Sequence, residues 1–261
     1  MKLINAFFSD VFGKTLVMSV MLVFMTSLGA QNGIRLKQQT LVWYRGFLEC
    51  ELNSDWSVSL HLDERRYVFP DRKHQRLLPE ILVTRKLNPK SRLSGGLWLF
   101  NIYAPGDPFE SVAFNLREWR IYSSFTRLYP FKTGTLRWRL EAEWRRFLSP
   151  DAGNHFDGPV ELEVYRQRFL VAYRLPLSQR WSLDLSEELF LNLASNRGGI
   201  SFLDQNRISV RFDYQASKNL ETRLGFLYWF QPTPQPMEYF SRSIVEVGVK
   251  YSFRLKPRSK D

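Results

Sequence analysis

The sequence predicts an all-β protein, an antiparallel up-and-down transmembrane β-barrel of about twelve strands, with ten as the alternative. Three observations predict it. Apolar and polar residues alternate with period two through most of the chain after residue 30, the alternating segments run to about 10–14 residues, and the links between them are short and long in turn. Globular strands average about 5 or 6 residues, whereas a tilted strand crossing a bilayer needs about 9 to 11. Length therefore favours a membrane setting.

Composition agrees. The 261 residues suit one domain, and a mean hydropathy of -0.30 is too polar for a bundle of membrane helices. A barrel tolerates that average because it hides polar side chains in its lumen. The formal net charge is +11, and arginine outnumbers lysine by more than two to one. Such a charge often marks a nucleic-acid partner. Here arginine is spread over nearly every strand-like segment and alternates with apolar residues, instead of gathering on one patch, so no nucleic-acid partner is expected. The single cysteine, Cys50, forms no disulfide within the chain and reads as a small packing residue between Glu49 and Glu51.

The first segment reads as an export signal, residues 1–30, ahead of a barrel domain, residues 31–261. Lys14 precedes the apolar run Thr15 to Leu28, and Ser27, Gly29 and Ala30 end it with small residues. Cleavage is expected after Ala30 or Gly29. An uncleaved anchor is the alternative, although the run is short for a spanning helix. The long charged start contains Asp10, which leaves initiation at Met18 open. No later apolar run has the length of a membrane helix, so a membrane location requires a barrel.

The strands follow in order at residues 38–52, 55–67, 76–88, 92–103, 114–128, 134–147, 161–174, 180–193, 203–215, 219–230 and 242–254. Asn53-Ser54-Asp55 separates the first two, and in the second Trp56, Val58, Leu60 and Leu62 oppose Ser57, Ser59, His61 and Asp63. Asn88-Pro89-Lys90 separates the third from the fourth. The stretch Tyr129 to Gly134 leads into the sixth, where Trp138, Leu140, Ala142 and Trp144 oppose Arg137, Arg139, Glu141, Glu143 and Arg145. Pro176 to Gln179 precedes the eighth, with Trp181, Leu183, Leu185 and Leu189 against Ser182, Asp184, Ser186 and Glu188. In the ninth, Ile208, Val210, Phe212 and Tyr214 oppose Arg207, Ser209, Arg211 and Asp213; Ala216 to Asn219 follows it. In the last, Val245, Val247, Val249, Tyr251 and Phe253 alternate with Glu246, Gly248, Lys250 and Ser252. The longer links are Val68 to Gln75, Ala104 to Ala113, Leu148 to Pro159, Ala194 to Phe202 and Gln231 to Ser241. Short turns on one side and long loops on the other are the habit of outer-membrane barrels. The segments number eleven, whereas bacterial single-chain barrels use an even number, and this moves the expected count to twelve or ten.

Aromatic residues gather at the strand ends: Trp56, Phe131 and Trp181 by the short turns, and Tyr67, Phe69, Tyr103, Phe147, Trp229, Phe230, Tyr239 and Phe240 by the long links. Two interfacial girdles would produce this pattern. The polar face holds Arg65, Glu118, Arg120, Arg137, Arg139, Glu141, Glu143, Arg145, Arg166, Arg168, Asp184, Glu188, Arg207, Arg211 and Arg223, which are the candidate lumen-lining residues. Opposite charges on neighbouring strands pair, and arginine suits buried bidentate pairing. A salt-bridged interior that fills a narrow barrel is the first reading; a basic-lined pore that favours anions is the second.

No catalytic constellation stands out. Of the three histidines, His61 shares its strand face with Ser59 and Asp63, while His74 and His155 lie in the expected links. No histidine or cysteine pair has metal-ligand spacing, Asp151-Ala152-Gly153-Asn154 lacks the remaining ligands of a calcium loop, and there is no glycine-rich phosphate loop. Neither a cofactor nor a metal is expected.

Two resemblances add to this reading. Gly248-Val249-Lys250-Tyr251-Ser252-Phe253 resembles the C-terminal signal read by the barrel-assembly machinery, which implies that Gly248, Tyr251 and Phe253 are recognised during insertion. The chain departs from that signal by running on from Arg254 to Asp261. The wider layout resembles the exported family DUF2490. The features are an early Trp43 strand, Ser54-Asp55-Trp56-Ser57 leading to Asp63-Glu64-Arg65-Arg66, Trp119-Arg120, and Arg137-Trp138-Arg139-Leu140-Glu141. Glu188-Leu189-Phe190, Asp204-Gln205-Asn206-Arg207 and Leu224-Gly225-Phe226-Leu227-Tyr228 complete them. The resemblance implies an outer-membrane barrel, reached by export through the periplasm, and carries no activity over.

The expected function is therefore non-enzymatic, structural or passing small solutes, with outer-membrane lipid and the barrel-assembly machinery as partners. An outer-membrane lipid-modifying hydrolase using His61 and a soluble periplasmic ligand-binding β-protein are the alternatives.

Overall fold

The computed structural model describes residues 34–69, 72–103, 116–149, 160–233 and 235–255. The expected export segment, His155 and the 151–154 run lie outside them. The chain divides into two units, Met1–Leu36 and Lys37–Asp261, and the second forms the barrel.

Among the described residues there are eleven strands: β1 Arg35–Glu51, β2 Trp56–Tyr67, β3 Arg72–Asn88, β4 Ser91–Ile102, β5 Leu116–Pro130, β6 Thr135–Leu148, β7 Val160–Pro176, β8 Trp181–Ser195, β9 Leu203–Gln215, β10 Leu220–Pro232 and β11 Glu238–Arg254. They close into one barrel in which each strand pairs with its neighbours in sequence and β1 meets β11. The link expected over Val68 to Gln75 is shorter than foreseen, because β3 already begins at Arg72.

Side chains close the short turns. Asn53 Oδ1 accepts from the backbone N–H groups of Asp55 and Trp56, both at 2.9 Å. Ser178 Oγ does the same for Arg180 and Trp181, and Ser217 Oγ for Asn219 and Leu220. Asparagine and serine occupy these positions because their short polar arms replace a backbone acceptor in the turn. Gly134 closes another turn; a Cβ there would run into the Arg174 carbonyl oxygen, so no other residue fits unchanged.

Strand count falls between the expected twelve and ten, and the closure explains how an odd number is accommodated. Every pairing from β1–β2 to β10–β11 is antiparallel, so β1 and β11 run in the same direction. Side-chain contacts across the seam keep a near-constant offset: Arg45 with Glu246, Glu49 with Lys250 and Ser252, and Glu51 with Arg254. A constant offset is the mark of parallel pairing, since an antiparallel pair has a constant sum. Both strands start at the long-link end and finish at the short-turn end.

The outer wall is apolar. Leu62, Ile121, Phe169, Phe212, Leu224 and Val247 are between 42% and 58% exposed, an uncovered belt of the kind that lipid covers. At the short-turn end Trp56, Phe131 and Trp181 are exposed on this wall. The other end differs from the expected second girdle. Phe69 is exposed, but Tyr67, Phe147, Trp229, Phe230 and Phe240 are buried. Tyr67, Phe147 and Trp229 share the strand parity of Arg65, Arg145 and Leu227, which faces inward. Leu41, Trp43, Tyr67, Leu227, Trp229 and Ile244 form one interior cluster, and Phe100, Ile102, Phe147 and Val164 another.

Candidate functional site

Alternation along β5 to β9 turns every second residue inward, many of them charged, and register sets the charged positions side by side. Glu141 stands opposite Arg168 and Glu143 opposite Arg166 across β6–β7, and Asp184 stands opposite Arg211 across β8–β9. The result is a continuous interior network. Glu118 accepts from Arg120 Nη2 at 2.7 Å and Arg145 Nε at 2.6 Å. Glu143 accepts from Arg166 Nε at 2.5 Å, Arg168 Nη1 at 2.9 Å and Arg120 Nη1 at 3.3 Å. Arg166 also reaches Asp204. Glu188 Oε1 accepts from Arg139 Nη2 and Arg168 Nη2, both at 2.6 Å, while Arg168 Nη1 donates to Glu141 at 2.5 Å. Burying such charges is costly unless each is paired and hydrogen-bonded, and here most are bound several times.

Toward the short-turn end the network thins. Arg137 approaches Asp184 at 3.6 Å, Arg211 bonds Asp213 at 2.9 Å, and Arg223 bonds Glu221 at 2.7 Å. Sequence reasoning did not single out Arg45, Asp63, Glu80, Asp204, Asp213, Arg242 or Glu246 for the interior. All but Asp204 and Arg45 are fully buried. The alternation of their strands was the signal that could have found them.

Aromatic rings fill the gaps between these charges. Arg65 lies over Trp43 at 4.1 Å, Arg120 over Trp98 at 4.7 Å and Phe100 at 4.8 Å, and Arg242 over Trp229 and Phe240 at 4.3 Å each. Arg207 lies over Phe190 at 4.5 Å, Trp229 at 4.6 Å and Trp43 at 5.4 Å. Ring faces attract guanidinium groups, so they hold arginines without consuming a carboxylate.

His61 belongs to a separate group. Its Nδ1 meets Glu80 Oε2 at 2.9 Å, Tyr122 Oη donates to the other Glu80 oxygen, and its ring stacks on Phe47 at 4.2 Å. The β2–β3 and β3–β4 registers both shift beside Pro79, which lacks an N–H for the ladder; the bulge leaves Glu80 opposite His61. Gly96 makes room for Tyr122, whose ring lies 2.8 Å from where a Cβ would stand. The neighbours Ser59 and Asp63 play no part in this group: Asp63 pairs with Arg65 at 3.2 Å and Arg45 at 3.5 Å. His61 Nε2 is buried without a hydrogen-bond partner among the described residues.

Three cavities line up inside the barrel among the described residues. One of about 670 Å³ opens at the long-link end, lined by residues such as Phe147, Asp204, Gln205, Trp229 and Arg242. A central one of about 300 Å³ is lined by the arginines at 45, 65, 137, 139, 168, 207 and 211 against the glutamates at 80, 141, 188 and 246. The third, about 320 Å³ at the short-turn end, shares His61, Glu80, Arg137 and Arg139 with the central one and adds Lys86, Arg92, Arg223 and Lys250. No lining residue is common to the outer and central cavities. Arg120, Glu143, Arg166 and the rings of Phe100 and Phe190 occupy the level between them.

On β11, Tyr251 is exposed on the outer wall and 6.2 Å from Phe253, while Gly248 lies against the backbone of Arg45 across the seam.

Residues 40–240 match the family described as protein of unknown function (DUF2490). The chain belongs to the DUF2490 family. Among curated proteins none is similar to it in sequence. Among solved structures, this DUF2490 barrel is similar to the NanC porin, with a TM-score of 0.50 and 10% identity over 81% of this chain and 97% of that one. A second similar structure is the outer-membrane expressed OmpT of Vibrio cholerae, with a TM-score of 0.38 and 10% identity over 75% of this chain and 64% of that one. At these identities the likeness to NanC concerns the fold alone.

Proposed function

We propose that this DUF2490 protein is an outer-membrane barrel that holds or passes small anionic solutes through a narrow lumen. The observation that carries the reading is the central cavity, where seven arginines face four glutamates. A low-dielectric passage lined by an excess of one charge favours the opposite ion. The membrane setting is supported by the exposed apolar belt, by strands of 12 to 17 residues and by the Trp56, Phe131 and Trp181 ring. The run at Gly248, Tyr251 and Phe253 fits recognition by the assembly machinery after export.

Reconstitution into planar bilayers under a potassium chloride gradient tests the reading. A conductance whose reversal potential favours chloride supports it; a cation-selective pore contradicts it. A second reading, a purely structural barrel, is favoured by the belt of ion pairs and rings between the outer and central cavities. That reading expects a folded, heat-modifiable protein with no conductance.

A further inference from the structure

We propose that Arg207 is the anion-coordinating residue of the lumen and binds the oxyanion group, carboxylate or phosphate, of a small solute. The inference rests on the reading of the interior as an anion site and names the residue that makes it one.

Of the seven arginines on the central cavity, Arg45, Arg65, Arg137, Arg139, Arg168 and Arg211 each have a carboxylate oxygen within 4.0 Å. Arg207 has none among the described residues. Its one hydrogen-bond partner is a neutral amide, Gln205 Oε1 at 2.5 Å from Nη2, and its Nε is buried without a partner. The absence is not a matter of distance along the sheet. Glu188 stands directly opposite Arg207 in the β8–β9 register, but its Oε1 is taken by Arg139 and Arg168.

An unpaired interior charge is expensive and persists only if something else holds it. Three rings, Trp43, Phe190 and Trp229, surround the guanidinium and fix its position without neutralising it. Arg207 itself lines the central cavity, while its partner Gln205 lines the outer one. The cation therefore stands at the level where a solute would pass from one chamber to the other. Its planar guanidinium suits the oxygens of a carboxylate or phosphate, and its Nε is a buried donor with no acceptor in the protein.

The test uses the full barrel folded in detergent, with inorganic phosphate as probe and titration calorimetry as readout. Heat-modifiable gel migration checks that each variant is folded. Phosphate should bind the unaltered protein, and binding should be lost in Arg207→Gln. It should survive in Arg92→Gln, which removes the same charge from an exposed position on the short-turn cavity. Ser209 lies two residues along the same strand face and also lines the central cavity. Ser209→Asp would place a resident carboxylate beside Arg207 and should abolish phosphate binding with the arginine intact, so the proposal stays testable if Arg207→Gln does not fold. No phosphate binding by the unaltered barrel, equal loss in Arg92→Gln, or undiminished binding in Arg207→Gln or Ser209→Asp would overturn it. Conductance of the same proteins separates the two claims. Phosphate binding at Arg207 without conductance sinks passage and keeps the site; a chloride-selective conductance with no phosphate binding sinks the site and keeps passage.

Discussion

Glu188 and Arg207 face each other across β8 and β9, yet the carboxylate bonds Arg139 and Arg168 at 2.6 Å and leaves Arg207 to three aromatic rings. Adjacency in the sheet brought an acid and a base together, and a third and fourth strand then took the acid away. Glu188→Gln should remove one negative charge from the central cavity, leaving Arg139 and Arg168 to share Glu141. Chloride selectivity in bilayers should rise, and the heat-modifiable band should convert to the unfolded form at lower temperature. Unchanged selectivity would mean that the cavity's charge does not govern what enters it.

Glu143 bonds three arginines, Arg120, Arg166 and Arg168, and is fully buried. Removing one member of a buried ion-pair group leaves the others uncompensated, at a cost of about 3–5 kcal/mol. Glu143→Gln should therefore lower the unfolding free energy of the barrel, measured by urea titration in lipid vesicles, by an amount in that range. A loss under about 1 kcal/mol, the usual worth of an exposed pair, would place Glu143 in contact with water.

The parallel seam fixes where the strand ends lie. Lys37 near the start of β1 is at the long-link end, and Arg254 at the end of β11 is at the short-turn end. In a Cys50→Ser background, Lys37→Cys should react with a membrane-impermeant maleimide on intact cells. Arg254→Cys should react only after the outer membrane is opened. Equal behaviour of both would signal an even-stranded barrel.

The same seam can be locked. Glu49 and Lys250 meet at 2.5 Å across it. In the Cys50→Ser background, Glu49→Cys with Lys250→Cys should form a disulfide under mild oxidation, visible as altered migration after boiling. Failure to cross-link in the folded fraction would show that β1 and β11 do not pair in this register.

Gly96 leaves the space that Tyr122 fills on its way to Glu80. Gly96→Val should displace the ring, break the hydrogen bond that steadies Glu80 against His61, and destabilise the barrel by about 1–3 kcal/mol, the usual cost of overpacking. Denaturant titration measures the loss, and an unaltered midpoint would show that the neighbourhood yields freely.

Much of the architecture was written locally. A period of two separates Leu140 from Arg139 and Phe212 from Arg211 without reference to any other strand, because successive side chains of a strand point to opposite faces. Asn53, Ser178 and Ser217 close turns through hydrogen bonds two or three residues away, so the turns too were legible. Parity of the closure was not. Eleven alternating segments can be counted along the chain, but whether the first meets the last in parallel depends on contacts between residues some 200 positions apart, such as Glu51 with Arg254. Trp229, expected in an interfacial girdle, likewise turns out to lie inside once the barrel closes. The sequence by itself determined which residues form strands and which side of each strand is polar, because those are properties of neighbours along one chain. Only the tertiary structure decided which carboxylate each arginine keeps and which arginine keeps none, because in a narrow lumen one acid is within reach of several strands at once.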